Sequence, residues 1–182
     1  MHEHPTLKTI FERKSVRKYT GKAPSLEQLT LLVRAAMAAP TAVNRQPWEF
    51  IIVTDAGALE KLTQGLPHAK MTSQAGSAIV VLGDTLRQHR GSDTDYWIMD
   101  CSAAIQNLLL AAESLGLGAV WTAAYPDPQR VKVVREVLGV DALHLVPLAV
   151  IPVGTPTGED RPKDKWDPGR VFLNTYGHKS PD

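Results

Sequence analysis

Apolar positions recur at helical and then extended spacing along most of the chain. Leu7, Ile10 and Phe11 fall at i, i+3 and i+4, which predicts a short amphipathic helix over residues 5–13. Pro24-Ser25-Leu26-Glu27-Gln28 opens a second helix: Ser25 can cap the first free N–H groups, and Gln28 stands where a capping box places its return bond. Its stripe is Leu29, Leu32, Val33, Ala36 and Met37, and Pro40 ends it. Trp48 to Thr54, aromatic and β-branched, predicts a buried strand, and a weaker helix follows from about Ala56 to Gln64. Residues 77–83 predict a second strand.

The strongest helical period comes after a polar loop that ends near Thr94. It runs on Trp97, Cys101, Ala104, Ile105, Leu108, Leu109, Ala112 and Leu115, with Gly116 suited to a left-handed stop. Ala119 to Thr122 predicts a short third strand. Asp127-Pro128 pairs an N-cap with proline at the first helical position, opening a helix that carries Val131, Val134 and Leu138 and closes at Gly139. Leu145 to Val153 predicts a fourth strand, which Pro147 and Pro152 confine to irregular or edge pairing. From Gly154 to Arg170 there is almost nothing to bury, yet Trp166, Val171, Phe172, Leu173 and Tyr176 follow or interrupt that polar stretch. A polar arm with apolar residues is expected to dock elsewhere, on a partner subunit. The whole, residues 1–182, reads as one α+β domain with a sheet of about four strands.

Composition narrows the function. The formal net charge is +1, which offers no clustered basic face for nucleic acid or an acidic membrane. No apolar run reaches the roughly 20 residues of a membrane span, and residues 1–5 lack the apolar core of a signal peptide. Cys101 is the single cysteine, so neither an intrachain disulfide nor a thiolate cluster can form, and a cytoplasmic location is expected. His2 and His4 have no further ligand nearby, so no metal site follows. His68, His89, His144 and His178 are scattered without ligand or triad spacing, and Cys101 falls on an apolar stripe as a buried thiol. Asp93, Asp95 and Asp100 read as a loop and a helix N-terminus, where acids are favourable. Gly116-Leu117-Gly118 has neither a third glycine nor an immediately preceding strand, which rejects a dinucleotide fingerprint.

Two segments carry chemistry. In an extended Arg13-Lys14-Ser15-Val16-Arg17, Arg13, Ser15 and Arg17 share one face while Lys14 and Val16 point away. Two guanidinium groups and a hydroxyl on one face suit a phosphate; the same residues also read as a solvated basic helix end. In Ala39-Pro40-Thr41-Ala42-Val43-Asn44-Arg45-Gln46-Pro47-Trp48, two prolines clamp a loop rich in amide and hydroxyl groups. Such a loop can read a heterocycle edge or a polyol chain, or simply connect a helix to a strand.

Together these segments resemble the paired N-terminal signature of the nitroreductase family of FMN enzymes. The resemblance extends through Gln106-Asn107-Leu108-Leu109-Leu110-Ala111-Ala112, Gly116-Leu117-Gly118-Ala119-Val120-Trp121, Ile151-Pro152-Val153-Gly154-Thr155-Pro156 and Arg161-Pro162-Lys163-Asp164-Lys165-Trp166. It covers the chain from about Leu7 to Tyr176. It implies an α-β-α sandwich with a central, mostly antiparallel sheet, a long dimerising helix and a C-terminal arm exchanged from about residue 154. FMN is then expected at the interface of a homodimer. On that pattern Arg13, Ser15 and Arg17, with Lys14 in the same motif, bind the phosphate and ribityl chain, joined by Lys163 and Lys165 of the arm. Pro40, Thr41, Asn44 and Gln46 approach from the other subunit, and the backbone around Trp121 and Thr122 lines the ring. Three positions depart from the pattern: Thr41 where serine is commoner, Ala123 where many relatives have glycine, and Lys165 where arginine is frequent.

The implied activity is NAD(P)H oxidation by bound FMN, with electrons passed to a small nitroaromatic or quinone acceptor in ping-pong fashion. No side chain is then required as acid, base or nucleophile. The rival expectations are a flavin store or redox sensor without turnover, and a specialised flavin reaction such as reductive dehalogenation or breakdown of the flavin itself.

Overall fold

The computed structural model describes residues 4–89 and 95–178. His2, Asp93 and the end of the polar loop at 90–94 lie outside the described residues. Among the described residues six α-helices and five strands follow in order: α1 Pro5–Glu12, α2 Leu26–Met37, β1 Trp48–Val53, α3 Ala56–Gly65, α4 Thr72–Ala75, β2 Ala78–Asp84, α5 Tyr96–Ser114, β3 Gly118–Ala119, β4 Thr122–Ala123, α6 Pro128–Leu138 and β5 Leu145–Gly154. Only α4 and the 3-10 turns at Ala42–Asn44 and Pro168–Arg170 escape the hydrophobic pattern, being too short to show a period. The end signals act as expected. Ser25 and Gln28 form the reciprocal capping box of α2, Asp127 caps α6, and Gly116 and Gly139 take left-handed φ of 69° and 66°.

The sheet is antiparallel at every described pairing, in the order β1-β2-β5-β3, with β4 also on β5. Alternation along β2 builds three layers. Ile79 and Val81 face a core formed with Leu29, Leu32 and Ala36 of α2 and Trp97, Cys101, Ile105 and Leu108 of α5. Ala78, Val80 and Leu82 face the opposite core, with Leu59 and Leu62 of α3 and Val134 of α6. A strand covered on both faces reads as a continuous apolar run, as β2 does.

Two strand expectations change places. The aromatic β1 is an edge strand with Glu49 exposed, whereas β5, with its two prolines, is central. Pro147 lies beside the register shift at Val81/Leu82, so there the pairing is indeed irregular. Pro152 acts differently. The Val153 N–H donates to the Ser77 carbonyl on the β2 side, which turns residue 152 toward β3 and β4. Proline has no N–H to give there. Gly118 pairs Gly154, Ala119 pairs Val153 and Thr122 pairs Val150, so the facing position is Val120, where the ladder breaks. The strand expected over Ala119–Thr122 is thereby split in two around Val120-Trp121.

The arm also begins later than expected. Gly154 belongs to β5, Thr155 N–H donates to Lys22 O, Thr157 N–H donates to Lys18 O, and Asp160 accepts from two backbone amides, so residues 154–160 stay on their own chain. From 161 to 178 every residue is exposed except half-buried Val171, including Trp166, Phe172, Leu173 and Tyr176. Leu7 and Ile10 on α1 are exposed too, so the apolar stripe of that helix is not buried by its own chain. Among the described residues no helix is long and apolar enough to cross a membrane.

Candidate functional site

The segment after α1 is extended and stitched to the sheet. Val16 N–H donates to Ala119 O at 3.0 Å, and its side chain is buried over Gly118, where an added Cβ would stand 2.6 Å from Val16 Cγ1. The buried Tyr19 hydroxyl donates to Val16 O at 2.8 Å. Burial pushes that phenol's pKa up, reinforced by the Asp160 charge. Because Val16 points inward, Arg17 points out, as alternation requires. The Asp160 carboxylate accepts from the backbone N–H of Arg17 and Lys18, fixing the segment from the other end of the chain.

Arg17 opens into a cavity of about 480 Å³ beside the β3–β4 break. Its walls are Arg17, Pro67, His68, Lys70, Met71, Val120, Trp121, Thr122, Ala123 and Arg130, a set with two arginines, a lysine and, among the described residues, no carboxylate. The volume lies within the usual range for small-ligand pockets. Thr122 turns its hydroxyl into the sheet, donating to Val150 O at 2.6 Å, and its backbone is paired with Val150 in the β4–β5 ladder. Lys70 donates to Thr63 O and Gln64 O at the C-terminal end of α3, a favourable place for a cation. Arg130 Nε lies 3.3 Å from Asp127 Oδ2.

The structure thus joins Arg17 with Trp121 and Thr122 in one cavity, whose walls hold none of the other expected residues. Lys14 is tied to Glu113 by a 2.7 Å ion pair on the far side of the segment, in agreement with alternation and against a place beside Arg17. Arg13 and Ser15 are half-buried and do not line the cavity. Lys163 and Lys165 are exposed on the arm. Pro40, Thr41, Asn44 and Gln46 form a separate loop, absent from the cavity walls. That loop is held in an unusual shape: Val43, Asn44 and Gln46 all have positive φ, at 51°, 54° and 51°. Gln46 N–H donates to Thr41 Oγ1 at 3.1 Å, and Gln46 Nε2 to Asn44 Oδ1 at 3.0 Å.

Sequence reasoning missed Pro67, His68, Lys70, Met71 and Arg130. Their one local signal is a Pro-His-x-Lys turn between two elements; the rest is contact between residues far apart in the chain. His68, exposed, lines the cavity. The expectation for Cys101 holds: it is fully buried beside Pro47 O, and burial pushes its pKa up to about 12, with Asp100 adding to the shift. Among the described residues no group of three His, Cys, Asp or Glu could hold a metal ion.

The sequence profile described as the Nitroreductase family matches residues 10–65 and 63–155. The chain belongs to that family. A crystal structure from Parabacteroides distasonis, described as a candidate NADH dehydrogenase/NAD(P)H nitroreductase, superposes with a TM-score of 0.89 at 50% identity, over 96% of this chain and 100% of that one. A protein of the same description from Methanothermobacter thermautotrophicus is 40% identical over 171 residues, 93% of this chain and 87% of the relative. The FMN-dependent nitroreductase of Clostridium difficile superposes with a TM-score of 0.83 at 28% identity, covering 92% and 98% of the two chains. The nitroreductase fold expected from the sequence is the fold observed.

Proposed function

We propose that this nitroreductase-family chain is an FMN-dependent oxidoreductase that oxidises NADH or NADPH and reduces a small nitroaromatic or quinone acceptor. The observation that carries the reading is the cavity, where Arg17, Lys70 and Arg130 converge beside Trp121 and Met71. This donor set fits FMN: cations for its phosphate, and flat or polarisable apolar walls for a fused ring. When bound, FMN supplies the redox chemistry.

The chain's own residues bind and orient. Arg17 holds the phosphate, helped by Lys70, and Arg13 and Ser15, outside the cavity walls of one chain, complete the hold on the phosphate and ribityl chain around it. The break between β3 and β4 leaves backbone groups of Val120 and Trp121 without ladder partners on β5, so they are available to the ring edge. Donor and acceptor use one cavity in turn, which makes the kinetics ping-pong.

The reading includes a homodimer. Leu7 and Ile10 on α1, Met99 on α5, and Trp166, Leu173 and Tyr176 on the arm are exposed apolar groups of the kind that a second subunit covers. A partner would also bring Pro40, Thr41, Asn44, Gln46, Lys163 and Lys165 to a cavity that none of them lines within one chain.

The test is purification, heat release of flavin, sedimentation, and initial rates against both substrates. One FMN per chain, a dimer and parallel double-reciprocal lines are expected; intersecting lines refute the shared cavity. FMN binding without NAD(P)H oxidation by any acceptor would mean a store or sensor instead. Truncation after Asp160 should weaken both dimer and FMN retention, and unchanged retention removes the arm from the site.

A further inference from the structure

We propose that Asp100 is a positioning residue whose buried carboxylate latches the Thr41–Gln46 loop in a conformation its own sequence disfavours. Asp100 is 6% exposed, in the second turn of α5. Its Oδ1 accepts from the Ala42 backbone N–H at 2.9 Å, and its Oδ2 is buried with no hydrogen-bond partner among the described residues. A carboxylate buried with so few bonds is costly, and nothing in the apolar packing of α5 requires one. What it does is hold the amide that immediately precedes the left-handed run.

The run needs holding. Val43 is β-branched and 72% exposed, so at φ 51° it has backbone strain and no burial to offset it. Asn44 tolerates this region and Gln46 does so less well. The neighbouring Cys101 Sγ lies 3.5 Å from Pro47 O, so consecutive residues of α5 grip the loop near both ends. Trp97, Cys101 and Ala104 anchor that stretch of helix in the core, which makes the grip rigid. The loop's amides and hydroxyl are thereby presented in one geometry before any ligand arrives, the preorganisation that a binding loop requires. The consequence for FMN rests on the reading above that this loop faces the flavin.

The test compares Asp100→Ala, Asp100→Asn and Asp100→Glu by amide hydrogen exchange of the flavin-free protein and by FMN titration. Asparagine keeps the acceptor in place, whereas glutamate keeps the charge and moves the acceptor by a methylene. Gln46 is the telling amide, because it bonds to Thr41 and not to Asp100. Its exchange should accelerate about 10- to 100-fold in the alanine and glutamate variants and stay near wild type in asparagine, while core amides of β2 remain protected. If the alanine variant does not fold, the asparagine–glutamate pair decides alone. Unchanged Gln46 exchange in alanine and glutamate, or protection kept by glutamate and lost in asparagine, overturns the latch. FMN affinity should follow the same order. A loosened loop with undiminished affinity would leave the latch standing and overturn the placement of the loop at the flavin.

Discussion

Replacing Arg17 by alanine separates a ligand-binding cation from a structural one. The guanidinium of Arg17 is exposed, and among the described residues its one hydrogen bond is Nη1 to Ser15 O at 3.4 Å, near the limit of such a bond. The bonds that fix the segment use backbone groups, Val16 N–H to Ala119 O and Arg17 N–H to Asp160, and these survive the substitution. Apoprotein stability should therefore change by less than about 0.5 kcal/mol. A charge-assisted bond to the phosphate contributes about 1.5–3 kcal/mol, so FMN affinity should fall about 10- to 150-fold. Lys14 should behave in the opposite way. It is paired with Glu113 at 2.7 Å, both side chains mostly buried, so Lys14→Ala strands a carboxylate and costs about 1–3 kcal/mol of stability with little loss of affinity. The assay is fluorescence titration of apoprotein with FMN and with riboflavin at fixed ionic strength, alongside urea unfolding. Riboflavin has no phosphate, so its affinity should be indifferent to Arg17→Ala. Unaltered FMN affinity, or an equal loss for riboflavin, refutes a phosphate role for this residue.

Three further outcomes follow from the packing. A Cβ at Gly83 would stand 2.0 Å from Trp97 Cε3, and that ring is fully buried, so Gly83→Ala should cost about 1–3 kcal/mol and lower the melting temperature by roughly 3–10 °C; an unshifted melt refutes the close approach. Arg135 donates to the carbonyls of Val140, Ala142, Leu143 and Leu145, so Arg135→Ala should cost about 2–4 kcal/mol in urea unfolding, with lysine restoring only part because an ammonium cannot fork to them all. Burial pushes the Cys101 thiol up to about 12, while the unfolded chain loses that proton near about 8.5. The folded state then holds a proton the unfolded state has released, so stability is whole below about pH 8.5 and declines above it by up to about 1.4 kcal/mol per pH unit. Cys101→Ala should flatten that decline between about pH 8.5 and 10, before tyrosines ionise, and an unchanged slope in urea unfolding refutes it.

Local chemistry was legible in the sequence. Ser25 with Gln28, Asp127 with Pro128, and Gly116 and Gly139 mark helix ends because a cap is settled by residues within a few positions of it. The outward turn of Arg17 and the turning away of Lys14 followed from strand alternation alone. Order in the sheet was not legible, because apolar content reports burial and not position. Aromatic β1 lies at the edge, and β5 lies at the centre because Pro147 sits beside a register shift and Pro152 faces a gap. The cavity belongs wholly to the tertiary structure. Arg17, His68, Lys70, Trp121 and Arg130 come from four separate stretches of chain, and only the packing of the first segment on β3 brings Arg17 to the others. The strained loop is the same case: nothing in Val43-Asn44-Arg45-Gln46 asks for three positive φ values, and the restraint that holds them lies on α5, where Asp100 read only as an acid near a helix start.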